Sequence, residues 1–536
     1  YNSESTNGGL IVPNQFFIKN SKQQASFNAY KFNTKRIVST IFMIGTSWKN
    51  QLFLDITGRN DWSSALVYSY GTGNFSYFYP SVSGSWIITE TFKDKLPKWV
   101  SFAKVRGSWA QVGNDTSPYY INSGYSVATY QRGDKKIYGM TIPENMKSTN
   151  LKPERKNAWE VGLDWRFFDS RIGVDLTYYK ENTRNQIMTI NVPWESGVKE
   201  KLINAGNIQN SGIEIALNTT PIKKKQWQWD LNFTYTRNRN KIVELSPDVT
   251  SYINLDGAAN YGNYRIASVA KVGSDYGMLM SDSWIKTDEK TGKPVVGYTN
   301  KFRTVYYKRG GTVKEVGSML PNFLGSLNST LRWKDLSLYV LFDARFGGYV
   351  ASYNSRYATA YGFSGETEKY RKGMTWTSKY ANAQDKVFTD GFIPDVVFDA
   401  GTIVTTPGGT NQDVSGMTYQ EAYEKGYVEP AHLQSAAYFK NSWGTGVIND
   451  DWFKKINYIA LREITLSYNV PTKISSYIGA KNLSLSFTGR NLAYLLNTAP
   501  NHENPESVRG TGAAQFRMRS FMPYTASYLF TLNATF

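Results

Sequence analysis

The chain has 536 residues, a net charge of +18, 15% aromatic residues, no cysteine and a mean hydropathy of −0.45. The missing cysteine excludes disulfides, thiolate metal sites and a cysteine nucleophile, and basic residues so scattered that KKK at 223–225 is the longest run argue against a nucleic-acid partner. No stretch approaches the roughly 18 consecutive apolar residues of a spanning helix, which excludes a helical membrane protein but not a membrane barrel, whose strands alternate and escape hydropathy.

The first residues, YNSESTNGGL, have neither the basic start nor the apolar core of a secretory signal. Processing has removed one, or the sequence starts inside a longer protein. From there, alternation at a period of two recurs along the chain. Leu52, Leu54 and Ile56 oppose Asp55 and Thr57. Val161, Leu163, Trp165 and Phe167 oppose Glu160, Asp164 and Arg166. Trp229, Leu231, Phe233 and Tyr235 oppose Asp230, Asn232 and Thr234. Leu338, Val340, Phe342, Ala344 and Phe346 stand against Asp343 and Arg345. At the end, Tyr528, Phe530, Leu532, Ala534 and Phe536 share one face, and only Leu529 breaks the polarity of the other.

These patterns predict thirteen strands, near 37–48, 51–60, 80–88, 101–112, 157–168, 171–188, 212–221, 227–245, 322–333, 336–347, 458–470, 483–495 and 524–536. Connections after the odd-numbered strands are short, such as Lys49-Asn50, Asp169-Ser170 and Lys334-Asp335. Those after the even-numbered strands are long, and the one near 348–457 exceeds a hundred residues. Trp165 with Phe167, Trp227 with Trp229, and Trp333 close the apolar faces, as interfacial girdles do. Short turns on one side and long loops on the other match the periplasmic and extracellular edges of an outer-membrane barrel. A terminal strand that stops in register on an aromatic fits a sheet that must close, because an open edge does not survive in lipid. A soluble sheet that ends in a strand remains the alternative.

Several stretches resemble a known family. They include KRIVSTIFMIGTSWKNQLFLDITGRNDWSSAL, YFYPSVSGSWIITETF, SFAKVRGSWAQVGND, NLKPERKNAWEVGLDWRFFDSRIGVDLTYYKENTRNQI, GNIQNSGIEIALNTTPI and LSLYVLFDARFGGYV. Together, from about Lys35 to Phe536, they are similar to the SusC/RagA type of TonB-dependent outer-membrane transporter. The resemblance implies an all-β fold, a transmembrane antiparallel barrel of 22 strands filled by an N-terminal plug. It also implies a SusD-like lipoprotein lid, energy delivered through TonB, and a glycan or peptide as cargo in the outer membrane of a Gram-negative bacterium. Plug and early strands are absent from this sequence. Residues 1–34 are then expected in an extracellular loop and 35–536 in the C-terminal part of the barrel, with the remaining strands supplied by another chain of a nicked or divided protein.

Chemistry is sparse. His432 and His502 stand alone, and NHENPE at 501–506 is a loop whose carboxylates are expected in solvent rather than on a metal. No cofactor, metal or catalytic residue is expected. Asp164 with Arg166 and Asp343 with Arg345 are expected to face the lumen. Substrate contact is expected from aromatics of the great loop, Tyr353, Tyr357, Tyr361, Trp376 and Tyr380, which would stack on sugar faces or grip peptide side chains; packing within the loop is the competing reading. YQEAYEKG, near 419–426, has helical spacing. The function expected is energised import of a large nutrient, a glycan before a peptide, with outer-membrane lipid and lipopolysaccharide as surroundings. A passive porin and a secreted carbohydrate-active β enzyme are the rival readings.

Overall fold

The computed structural model describes all residues except 1–3, 16–19, 28–33, 94, 142, 193–194, 196, 247–251, 256–259, 262–263, 369–372, 433–447, 449–451, 508–515 and 519–522. Thirteen strands pair in chain order in one sheet. They are β1 (Ile37–Trp48), β2 (Leu52–Ser63), β3 (Ser76–Ile87), β4 (Val100–Asn114), β5 (Glu154–Phe167), β6 (Ile172–Asn191), β7 (Glu200–Lys223), β8 (Trp227–Glu244), β9 (Phe323–Trp333), β10 (Leu336–Ser352), β11 (Phe453–Val470), β12 (Asn482–Asn497) and β13 (Ser527–Thr535). Every neighbouring pair is antiparallel. Among the described residues four short α-helices, α1 (Ile88–Thr91), α2 (Tyr353–Ala360), α3 (Tyr419–Glu424) and α4 (Thr472–Ser475), lie in connections.

One edge of the sheet carries tight turns. Lys49 and Asn50 both take the left-handed conformation, φ 48° and 55°, as a two-residue hairpin turn requires. Phe168, Asp169 and Ser170 do the same between β5 and β6. The other edge carries the long connections, with 245–322 between β8 and β9 and 353–452 between β10 and β11. The expected alternation of short and long links is therefore present.

The faces of the sheet sort by chemistry. On the outer face Leu52, Leu54, Trp86, Val161, Trp165, Phe233, Leu338, Leu466, Phe487 and Phe530 are exposed, which suits hydrocarbon. Aromatic contacts border this band at both ends. Near the turns Trp227 stacks on Trp333 at 5.5 Å, and Trp99 lies 5.5 Å from Phe167. Toward the loops Trp159 meets Tyr178 at 5.4 Å, Phe323 meets Phe346 at 4.8 Å, and Phe487 meets Tyr528 at 6.2 Å.

Strand extents differ from expectation at the loop edge. The strand expected at 212–221 runs from Glu200, and β10 and β11 reach to Ser352 and back to Phe453. Beyond the bilayer band both faces of a strand are covered, so alternation fades. Leu202 and Ile203 are consecutive and both buried. Close approach also fixes Gly212, whose hypothetical Cβ would stand 2.5 Å from the Tyr179 ring and 2.7 Å from the Arg237 carbonyl oxygen. Gly212→Val is expected to cost about 1–3 kcal/mol through this overpacking. The loss should appear as a lower temperature at which the folded form disappears on unheated electrophoresis.

Candidate functional site

The inner face is built from the residues opposite the apolar band, and several of its cations meet carboxylates. Arg106 grips Asp175 with both terminal nitrogens at 3.0 and 2.9 Å and donates to Thr177 at 2.6 Å. Lys156 pairs with Glu181, and Arg332 reaches Asp230 at 3.1 Å. Arg490 and Thr465 both donate to Glu463 at 2.9 Å. Such alternation of polar groups across neighbouring strands locks register and leaves few free charges.

The four polar residues singled out from the sequence all lie on this face. Arg166 donates to Asp164 at 3.4 Å near the turn edge. Asp343 and Arg345 do not pair with each other. Asp343 takes Arg462 at 2.8 Å, while Arg345 donates to the carbonyls of Met319 and Gly347 at 3.3 and 3.4 Å.

Above β6–β8 a cavity of about 540 Å³ opens between the inner face and the residues following β8. Asn210, Asn240, Thr183 and Gln186 supply amides and hydroxyls, Ile208, Leu245 and Leu255 supply apolar wall, and Tyr276 stands at its side. Asn240 donates to Asn210 at 2.8 Å and accepts from the Tyr276 backbone at 2.8 Å, so both amides are oriented. Glu154 is the single carboxylate of the lining; it accepts from the Ile187 backbone at 3.0 Å and from Asn114 at 3.0 Å. An amide-rich cavity with apolar walls, whose one carboxylate already accepts two hydrogen bonds, favours a polar, non-anionic ligand.

The two longest loops merge into one packed module. A strand at Val295–Thr299 from the first pairs with Thr304–Tyr307 and, in parallel, with Val397–Phe398 from the second. Val296, Val305, Phe398, Val404, Tyr419 and Val428 form its core. Lys286 bonds Asp399 at 2.7 Å across the two loops. Burial pushes the Asp399 carboxyl up, but the hydrogen bond from Lys286 and the charges of Lys286 and Lys308 outweigh it and hold it below the ordinary carboxylate value. The predicted helical stretch forms α3, opened by a capping box between Thr418 and Glu421.

The five loop aromatics expected to touch substrate separate. Tyr353 and Tyr380 are buried, Tyr357 and Trp376 are half-buried, and Tyr361 is 64% exposed. Tyr353 joins Ile266, Leu279 and Phe453 in a core at the base of the loops. Trp376 stacks on Phe388 at 4.7 Å, and Phe388 on His432 at 5.3 Å. Trp376 and Ser378 donate to Glu429 at 3.2 and 2.8 Å, and the Arg303 guanidinium lies 4.5 Å over the Tyr380 ring. Trp376 and Tyr380 thus serve the packing of the module.

NHENPE fastens a third loop. Glu506 accepts two bonds from Arg462, at 2.8 and 2.7 Å, and one from Tyr494 at 2.9 Å. Its carboxyl is pushed up by burial but held below its ordinary value overall by Arg462 and Tyr494. Glu503 is buried and accepts from Asn354 at 3.1 Å, while His502 is exposed. Among the described residues no group of three acidic or imidazole side chains is arranged to hold a metal.

The family of TonB dependent receptor-like β-barrels matches residues 20–299. The chain belongs to that family. It is 23% identical over 486 residues to TonB-dependent receptor P26 of Formosa agariphila, covering 89% of this chain and 43% of that protein. With TonB-dependent receptor SusC of Bacteroides thetaiotaomicron it shares 27% over 270 residues, 48% of this chain and 26% of that protein. Its fold superposes on the RagAB peptide transporter with a TM-score of 0.67 at 16% identity, over 98% of this chain and 50% of that one. This TonB-dependent receptor chain therefore spans half or less of the length of the proteins it matches.

Two parts of the receptor's inner architecture were hidden from sequence reasoning. Arg462 sits at a β-bulge between Leu461 and Glu463, so its phase in the alternation is broken. Asn210 and Asn240 occupy ordinary polar positions of their strands, and only the covering loop turns them into a cavity lining. Two outcomes follow. Burial holds the His432 imidazole below its ordinary value of 6.5, with Asp390 and Glu429 opposing and Arg303 and Lys386 adding to the effect. The unfolded module binds that proton first, so its stability is complete above pH 6.5 and falls as pH drops below it. Protection factors of 374–391, corrected for the intrinsic pH dependence of amide exchange, should fall on acidification, and His432→Gln should remove that dependence. Separately, Arg462→Glu and Glu506→Arg are each expected to loosen 498–507, and the two together to restore protection, as a direct pair demands.

Proposed function

We propose that this receptor chain forms the C-terminal wall of an outer-membrane importer that takes up a large polar nutrient, an oligosaccharide before a peptide, with energy delivered through TonB. The observation that carries the reading is the pairing of an apolar, girdled outer face with a polar inner face whose side chains bond one another across strands, Arg106 with Asp175 and Lys156 with Glu181 among them. Such a wall suits passage of an uncharged hydrophilic cargo between bilayer and plug. β1 and β13 do not pair with each other among the described residues. A wall in lipid needs those edges paired, so we place further strands, a plug and a SusD-like lipoprotein lid beside this chain. The amide-rich cavity above β6–β8 is the proposed cargo contact, with exposed Tyr361 at the loop surface as an outer contact. Asp164, Arg166, Asp343 and Arg345 are read as lumen residues that face the plug. RagAB is a peptide transporter, which makes peptides the second ligand class.

Calorimetry on the intact receptor, against panels of neutral oligosaccharides and peptides, tests the cavity. Asn210→Leu with Asn240→Leu is expected to weaken the true ligand about tenfold, two lost hydrogen bonds at roughly 0.5–1.5 kcal/mol each. Uptake in cells should stop when the proton-motive force is collapsed. Uptake that continues identifies a passive porin instead, and new reducing ends released from a polysaccharide identify an enzyme.

A further inference from the structure

The outer face changes character above the aromatic border of β5–β8. On β8, Trp227, Trp229, Leu231, Phe233 and Tyr235 share one side, and the same side continues with Arg237, Arg239 and Lys241. The nine residues from Trp227 to Tyr235 cover about 27 Å along a strand, at roughly 3.4 Å per step. With the strand tilted by about 40°, that is about 21 Å along the membrane normal, within the apolar band of roughly 25 Å. The three cations therefore leave the band at its loop-side boundary.

Neighbouring strands repeat the change at the same height. Beyond Tyr178 on β6 come Lys180, Asn182 and Arg184, and beyond Trp159 on β5 come Asn157 and Arg155. The registers bring them together: Arg239 is opposite Ser211, Ser211 opposite Lys180, Lys180 opposite Trp159, and Arg184 opposite Arg155. The amides between them are bonded across strands, Asn182 to Asn207 at 2.8 Å and Gln111 to Asn157 at 2.8 Å. None of these six cations has an ion pair among the described residues, in contrast to Lys156 and Arg106 on the inner face. No carboxylate interrupts the outer positions between them. Glu244 lies past a bulge at the end of β8, opposite Asn207.

Arg237, Arg239 and Lys241 also border a hollow of about 510 Å³, closed on its far side by Leu320, Pro321 and Asn322. Asp275 is the single acid of that lining and makes no ion pair with the three. On β1–β3 the corresponding outer positions, Val38, Thr40, Asn60, Trp62, Ser76 and Phe78, carry no charge. The basic band is thus absent from β1–β3, and cations without ion pairs, next to an apolar belt, call for anions held at the membrane boundary.

We propose that this sector, Arg155, Lys180, Arg184, Arg237, Arg239 and Lys241, binds the phosphate groups of a phosphorylated lipid in the outer leaflet. The inference rests on the membrane-barrel reading above. The lipid's acyl chains lie along Val161, Ile213 and Phe233, all exposed on the same face, while its phosphates enter the hollow beside Arg239. Guanidinium groups suit this task because they bond phosphate oxygens in pairs.

Native mass spectrometry of the intact receptor in detergent, titrated with bisphosphorylated lipid A, tests it. Changing Arg237, Arg239 and Lys241 together to Gln is expected to weaken retention roughly a hundredfold, at about fivefold per basic residue beside an anionic leaflet. Changing Arg155, Lys180 and Arg184 to Gln should do the same from the neighbouring strands, and Lys156→Gln on the inner face should change nothing. Mobility on unheated electrophoresis reports that each variant is folded. Undiminished retention by both triple variants overturns the site. Equal binding of dephosphorylated lipid A, or displacement by inorganic phosphate or a soluble sulfated oligosaccharide at matched concentration, overturns its assignment to a lipid phosphate. Failure of the barrel reading itself looks different: the receptor would then stay monodisperse without detergent.

Discussion

Backbone hydrogen bonding without water governs this chain. Within hydrocarbon each N–H and C=O must be satisfied by the protein, and a sheet does this only strand against strand. That requirement accounts for thirteen strands paired antiparallel in chain order and for the short turns along one edge. It also forces the side chains into two populations. Leu, Val, Phe and Trp face outward, and Asp, Glu, Arg, Asn and Thr face inward, where they bond one another across strands. The bidentate contact of Arg106 with Asp175 belongs to that inner order.

Freed from the bilayer, the same chain follows different rules. The loop edge has hydrophobic cores of its own, and strands that enter it become apolar on both sides. The module of 282–310 and 374–432 has a hydrophobic core of its own, with a sheet, a capped helix and a salt bridge between its two source loops. Its aromatics are consumed in that packing. Tyr and Trp in a long loop are therefore weak indicators of ligand contact, because a loop of this length must first bury enough apolar surface to hold a shape. Oriented polar groups that border open volume, as at Asn210 and Asn240, are the better indicator of a ligand.

Charge follows the same division. The excess of positive charge is spread along the sequence, yet the fold places it unevenly. Inner-face Arg106, Lys156, Arg332, Arg462 and Arg490 meet carboxylates, while a group on the outer face of β5–β8 meets none. Paired cations fix register, and unpaired ones at a membrane boundary act on what lies beside them. No count of Lys and Arg along the chain separates the two populations, because Lys156 and Arg155 are neighbours in sequence and point to opposite sides of the sheet.

The sequence by itself determined the strand number, the direction of the apolar face, the girdle aromatics and the asymmetry of turns and loops. Each of these is written locally, in a period of two and in the residues that end it. The phrases resembling SusC/RagA transporters carried the family as well. Tertiary structure decided what periodicity cannot express. It joined Asp343 to Arg462 rather than to Arg345, since a bulge shifts the phase of β11. It fused two loops more than a hundred residues apart in places, as Lys286 with Asp399 shows. It extended β7, β10 and β11 beyond the bilayer, where burial on both faces erases alternation. These outcomes depend on contacts between distant segments, and only the folded chain brings those segments together.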